Sequence, residues 1–188
     1  MKKLNFKNLN NNNVKYILLL AITILFKTIP HLPNFSPALT FSMYFLMCYK
    51  KQIATLGIIA MWLLSDISYA VLYHLPMFGD WMIGTYSALC LLILFSLVRP
   101  IRPSKYSLFI AAILGASFFW LWTNLTVWLF SGMYTHTFLG FINCYILALH
   151  FLTYAILAAV FWSVVLIVGT VFIPSVKNSQ SRHVYSYF

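Results

Sequence analysis

Acid is nearly absent from this chain: 188 residues carry two carboxylates, Asp66 and Asp80, and no glutamate, against 12 lysines and arginines. Asp66 and Asp80 lie in separate segments and supply no recognisable paired-carboxylate site of the kind used in hydrolysis. Cysteine is also scarce. Cys48, Cys90 and Cys144 sit in separate apolar segments with no CxxC spacing, which argues against a disulfide framework or a zinc site and for small buried hydrophobes. His31, His74, His136 and His150 show no HxxxH or HExxH spacing, so no metal or other cofactor is expected. No Walker A loop and no G-x-S-x-G elbow occurs, and the expectation is a protein that is not an enzyme.

What the chain has in abundance is apolar surface. Hydrophobic residues make up 62%, charged residues 7%, and the mean hydropathy is +0.88, a composition that suits a bilayer as solvent. The net charge of +10 does not indicate nucleic acid, because the basic residues punctuate the apolar segments in place of forming one patch. They fall at Lys2, Lys3, Lys7 and Lys15, at Lys50 and Lys51, at Arg99, Arg102 and Lys105, and at Lys177 and Arg182, with Lys27 alone near what is expected to be the outer end of the first span. The basic start followed by Ile17 to Phe26 resembles a signal peptide, but Lys27 and Pro30 follow with no A-x-A site, so an uncleaved first helix is expected.

The fold class expected is all-α, a polytopic membrane bundle of about six transmembrane helices with both termini cytoplasmic. Residues 1–13 read as a polar N-terminal tail, 14–174 as a single transmembrane domain, and 175–188 as a C-terminal tail. The spans run from about Val14 to Ile29, Pro37 to Tyr49, Ile53 to Leu75, Trp81 to Val98 and Tyr106 to Phe130. The second is short, and is expected to tilt, thin the bilayer or be shielded by its neighbours. From Phe138 to Ile173 the chain is apolar throughout, roughly 54 Å as one helix against a core of ~30 Å, so it must divide. The division is placed near Ala148 to His150, with an amphipathic or re-entrant piece before it and the last span after it, ending at Pro174. This arrangement puts every basic cluster on the cytoplasmic side; a seventh span would put the last one outside.

Three features carry the candidate site. Between the first two spans, Pro30-His31-Leu32-Pro33-Asn34-Phe35-Ser36-Pro37 forms a rigid wedge that cannot be ordinary helix, and it presents His31 and Asn34. Asp66 lies within the third span, where an ionisable group is costly and marks a functional position by default. Trp62, Asp66, Tyr69 and Tyr73 share one helical face. In the fifth span Trp120, Asn124 and Trp128 repeat at i, i+4 and i+8, an amide bracketed by indoles that suits a small polar or aromatic ligand. The competing reading is structural: Asp66 and Asn124 as interhelical bonds and the rings as packing or interface belt. A lone carboxylate among aromatics would suit a cationic or hydrogen-bond-donating ligand.

The wedge, Ser65-Asp66, Tyr86-Ser87-Ala88-Leu89, Thr123-Asn124-Leu125-Thr126-Val127-Trp128 and Ser131-Gly132-Met133-Tyr134 together resemble an uncharacterised bacterial family of six-helix proteins labelled as transport proteins. That family is similar in plan to the substrate-binding S components of energy-coupling-factor (ECF) vitamin transporters. The resemblance implies a protein of the bacterial inner membrane that binds a small nutrient, such as a vitamin or vitamin precursor. It also implies a partner, a transmembrane coupling subunit with ATPases, and adds Tyr86 and Tyr134 to His31, Asn34, Asp66, Tyr69, Asn124 and Trp128 as binding residues. The alternatives are a membrane enzyme acting on a lipid or isoprenoid head group through His31, His136 and an aspartate, or a non-catalytic scaffold subunit.

Overall fold

The computed structural model describes residues 11–172, and all regular structure within them is helical. The helices are α1 (Asn11–Thr28), α2 (Ala38–Cys48), α3 (Lys51–Tyr73), α4 (Trp81–Val98), α5 (Lys105–Phe130), α6 (Phe138–Leu147) and α7 (Leu149–Phe172). Four of them are long and apolar enough to cross a membrane: α3, α4, α5, and α7 over Leu149–Gly169. The expected end of the last span at Pro174, the C-terminal tail with Lys177 and Arg182, and most of the N-terminal tail lie outside the described residues.

Proline and polar caps divide the chain where expected. Ser104 caps α5 through a reciprocal box with Ser107, and the Thr137 side chain accepts from the Gly140 amide to start α6. At the end of α3, His74 takes a left-handed conformation (φ 53°), and the Leu75 amide closes on the Ala70 carbonyl at 3.0 Å.

The shortness of α2 is answered by enclosure. Apolar around its circumference, it packs against α3, α5 and α7, and Phe41 and Phe45 are 1% and 0% exposed. Burying each such ring contributes about 1.5–3 kcal/mol. A helix wrapped by protein need not match the bilayer thickness, and the burial of α2 is compatible with the shielding alternative. Trp62 of α3 donates its indole N–H to Ser42 Oγ of α2 at 3.1 Å, and Ser42 in turn donates to the Ala38 carbonyl at 2.7 Å.

Small residues set the closest helix contacts. Ala112 and Ala116 of α5 and Ala159 of α7 form one buried cluster with Ala155 packed against it, so each helix offers alanines at i and i+4. Gly84 brings α4 onto α5, where any Cβ would run into the Thr126 hydroxyl.

The long apolar run breaks at Ala148, within the interval expected. The piece before the break does not fold back into the bundle. Cys144 contacts the Asn124 carbonyl, Tyr145 donates to the Leu121 carbonyl at 2.8 Å, and Trp120 donates to the Ala148 carbonyl at 2.8 Å. The Ala159 contact with Ala112 and Ala116 continues the same inverse register, so α6 and α7 are two lengths of one descent along α5.

The two ends of the bundle differ in chemistry. At one, Lys51 donates to the Leu97 carbonyl at 3.1 Å and Tyr16 to the Ile53 carbonyl at 2.9 Å, which gathers the start of α1, the start of α3 and the end of α4 beside Lys15, Lys50 and Arg99. At the other, Tyr73 donates to the Thr28 carbonyl at 2.9 Å and the wedge closes over α2. Between the ends the outer surface is apolar, with Leu56, Val71, Phe95 and Leu114 well exposed, as a bilayer environment requires.

Candidate functional site

The wedge acquires its shape from local chemistry. Pro33 and Asn34 occupy the central positions of a turn closed by the Phe35 amide on the Leu32 carbonyl at 3.0 Å, with Asn34 at φ 60°. Proline second and asparagine third is the pattern a type II turn requires. The Ser36 hydroxyl accepts from the Ala38 amide at 3.1 Å, which covers an orphan donor at the start of α2. His31 Nδ1 donates to the Ile29 carbonyl at 2.7 Å, which fixes the ring.

Beneath the wedge lies a cavity of about 800 Å³. Its roof is Pro30, His31, Pro33, Asn34 and Ser36, and one wall is the aromatic face of α3 together with Asp66. Across from that wall stand Phe119, Trp120 and Thr123 of α5, and alanines 155, 158 and 159 of α7 leave the space open by their small volume. Trp81 and Thr85 of α4 complete the lining.

The electrostatic centre is a chain of three side chains from three helices. Lys27 of α1 forms an ion pair with Asp66 Oδ1, and Tyr86 of α4 donates to Oδ2 at 2.6 Å. The Lys27 ammonium also lies over the Trp62 ring, 5.2 Å from its centre. Lys27 and Asp66 are about a quarter exposed, so both retain surface toward the cavity. This corrects the expectation of a lone carboxylate. Asp66 is matched by a cation, so a cationic ligand has no uncompensated charge to answer. Lys27 was legible as a charge near the outer end of the first span; its partner was not, because the pair is separated by 39 residues in sequence.

Of the eight expected site residues, His31, Asn34, Asp66 and Tyr69 line the cavity. Tyr86 does not line it but holds Asp66. Asn124 turns back on its own helix, donating Nδ2 to the Trp120 carbonyl at 2.8 Å. Trp128 donates to the Thr135 carbonyl at 3.0 Å and packs on His136 and Phe141, outside the cavity; Tyr134 is outside it too. Among the described residues no group of three or more His, Cys, Asp or Glu could hold a metal ion.

A family described as a family of unknown function (DUF6580) matches residues 7–181. The chain belongs to that family. No curated protein and no solved structure matches it. Four features of the cavity in this DUF6580 member were not among the expected site residues: Lys27, Trp81 and Thr85 of α4, and the alanine floor of α7. The alanines had a sequence signal, the i, i+4 pairs Ala112 with Ala116 and Ala155 with Ala159.

Proposed function

We propose that this DUF6580 protein is a membrane transport protein, a substrate-binding subunit for the uptake of a small nutrient in the manner of an ECF S component. One observation carries the reading: a cavity of about 800 Å³, roofed by the proline wedge and walled by aromatic rings and a single ion pair. A mostly apolar pocket with a few convergent polar groups is the form that small-molecule sites take. Irregular backbone such as the wedge is tolerated at membrane depth where it lines a cavity.

In this reading α6 and α7 make one broken crossing, so the described helices make about six crossings, with the basic end of the bundle in the cytoplasm. The wedge then faces outward, where a nutrient would enter. With no nucleotide-binding motif in the chain, energy for uptake comes from a partner, a coupling subunit with ATPases.

Thermal unfolding of the purified protein in detergent, with pools of small nutrients, tests the reading. At least one pool is expected to raise the unfolding temperature saturably, as ligand that binds only the native state must. The shift is expected to vanish in Thr85→Trp, which fills the cavity from α4. No shift from any pool, or a shift unchanged in the filled variant, would overturn the assignment of the site. Native co-purification of a transmembrane subunit with ATPases checks the energetics; uptake by the protein alone in vesicles would make it a secondary carrier.

A further inference from the structure

The ion pair and the rings around the cavity restrict what it can hold, given the binding reading above. Lys27 and Asp66 are the only formally charged residues lining it among the described residues, and they neutralise each other. A ligand with net charge would give up hydration in a pocket whose own charges are already paired, with no counter-ion left for it. The wall therefore selects for a neutral molecule.

The pair is neutral but not saturated. An ammonium has three donors, and Asp66 accepts one of those of Lys27. A carboxylate offers about four lone-pair sites, and Lys27 and Tyr86 occupy one on each oxygen. Side by side, then, stand spare donors on Lys27 and spare acceptors on Asp66. The matching ligand edge is the reverse: a carbonyl oxygen next to an N–H. Trp62, Tyr69, Tyr73, Trp81, Phe119 and Trp120 border the same space, which favours a flat unsaturated ring over an aliphatic chain.

The geometry points to a neutral planar heterocycle with a lactam or imide edge, whose carbonyl accepts from Lys27 and whose adjacent ring N–H donates to Asp66. Tyr69, whose ring packs on Tyr73 and borders the cavity, offers a hydroxyl for a second polar atom of the ring. The Lys27–Asp66 pair stays intact on binding, because the ligand bridges its outer side and does not displace either partner.

The test uses the purified protein in lipid nanodiscs with defined probes, read by calorimetry and thermal unfolding. Uracil and xanthine supply the lactam edge; 1,3,7-trimethylxanthine keeps the carbonyls and loses every N–H. Phenylalanine, choline and benzoate represent zwitterion, cation and anion. Saturable binding of uracil or xanthine is expected, with trimethylxanthine weaker than xanthine by roughly tenfold or more, since a partly buried carboxylate left without its donor disfavours the analogue lacking the N–H. The double variant Lys27→Met with Asp66→Leu removes both charges without leaving one unpaired, and should bind xanthine and trimethylxanthine within about threefold of each other. Trp128→Phe, outside the cavity, should bind as the parent does.

Absence of binding by both uracil and xanthine overturns the ligand class, as does equal affinity for xanthine and trimethylxanthine in the parent protein. If phenylalanine, choline or benzoate binds instead and Thr85→Trp blocks it, the ligand class fails while the binding cavity stands. Lactam binding that Thr85→Trp leaves unchanged fails both.

Discussion

Around Asp66 and around Asn124 the chain sets a polar side chain between aromatic rings at helical spacing, and the two neighbourhoods end up with opposite relations to the cavity. Asp66 reaches across helices, to Lys27 of α1 and Tyr86 of α4, and its face of α3 borders the space under the wedge. Asn124 bonds to the carbonyl one turn back on α5, and Trp128 bonds to the Thr135 carbonyl in the connection to α6. The difference lies in what each group finds within reach. A carboxylate has no donors and cannot be satisfied by the carbonyls of its own helix, so it draws partners from neighbouring helices. An amide carries both donor and acceptor and is partly satisfied locally.

Removing Asp66 should have the largest effect. Asp66→Ala leaves Lys27 unmatched and Tyr86 without its acceptor, and is expected to cost about 2–4 kcal/mol, below the figure for a fully buried pair because both groups are a quarter exposed. Denaturant unfolding in detergent measures it, and recovery of most of that loss on adding Lys27→Met would show that the stranded ammonium is the cause. A cost under about 0.5 kcal/mol for Asp66→Ala would put the carboxylate on a par with Asn124 and erase the contrast.

Trp120 belongs to both neighbourhoods, lining the cavity while its indole N–H holds the Ala148 carbonyl at the break between α6 and α7. Trp120→Phe is expected to cost about 1–2 kcal/mol, from the lost bond and the volume left behind. It should also alter ligand binding, which separates it from Trp128. Trp128→Phe gives up a bond at an exposed corner, with an expected cost of about 0.5–1 kcal/mol and unchanged ligand affinity by calorimetry.

The smallest effect is expected at the amide itself. Asn124→Leu trades a bond within its own helix for an apolar side chain, and the stability should stay within about 0.5 kcal/mol of the parent. Loss of ligand binding in Asn124→Leu, with folding intact, would move the site toward α5 and α6 and reverse the comparison.

Much of the fold was readable along the chain because the signals are local. Trp81 to Val98 was bounded by Arg99 and Pro100 after it, and α4 has those limits. That the run from Phe138 to Ile173 must divide followed from its length, and the break at Ala148 falls within the interval expected. The face shared by Trp62, Asp66, Tyr69 and Tyr73 followed from helical periodicity, and all four residues line the cavity. Asn124 and Trp128 obeyed the same periodicity, and here it misled: spacing states which residues share a face, not what that face meets.

By itself, then, the sequence determined an all-helical apolar protein, the places where helices stop, and the wedge of Pro30 to Pro37 with its histidine and asparagine, because hydropathy, proline and helical periodicity act within a few residues of one another. The tertiary structure decided that the short α2 is enclosed by its neighbours, that Lys27 neutralises Asp66, and that alanines of α7 leave room beneath the wedge. Each of these depends on which helix packs beside which, a matter of contacts between residues far apart in the chain that no local pattern encodes.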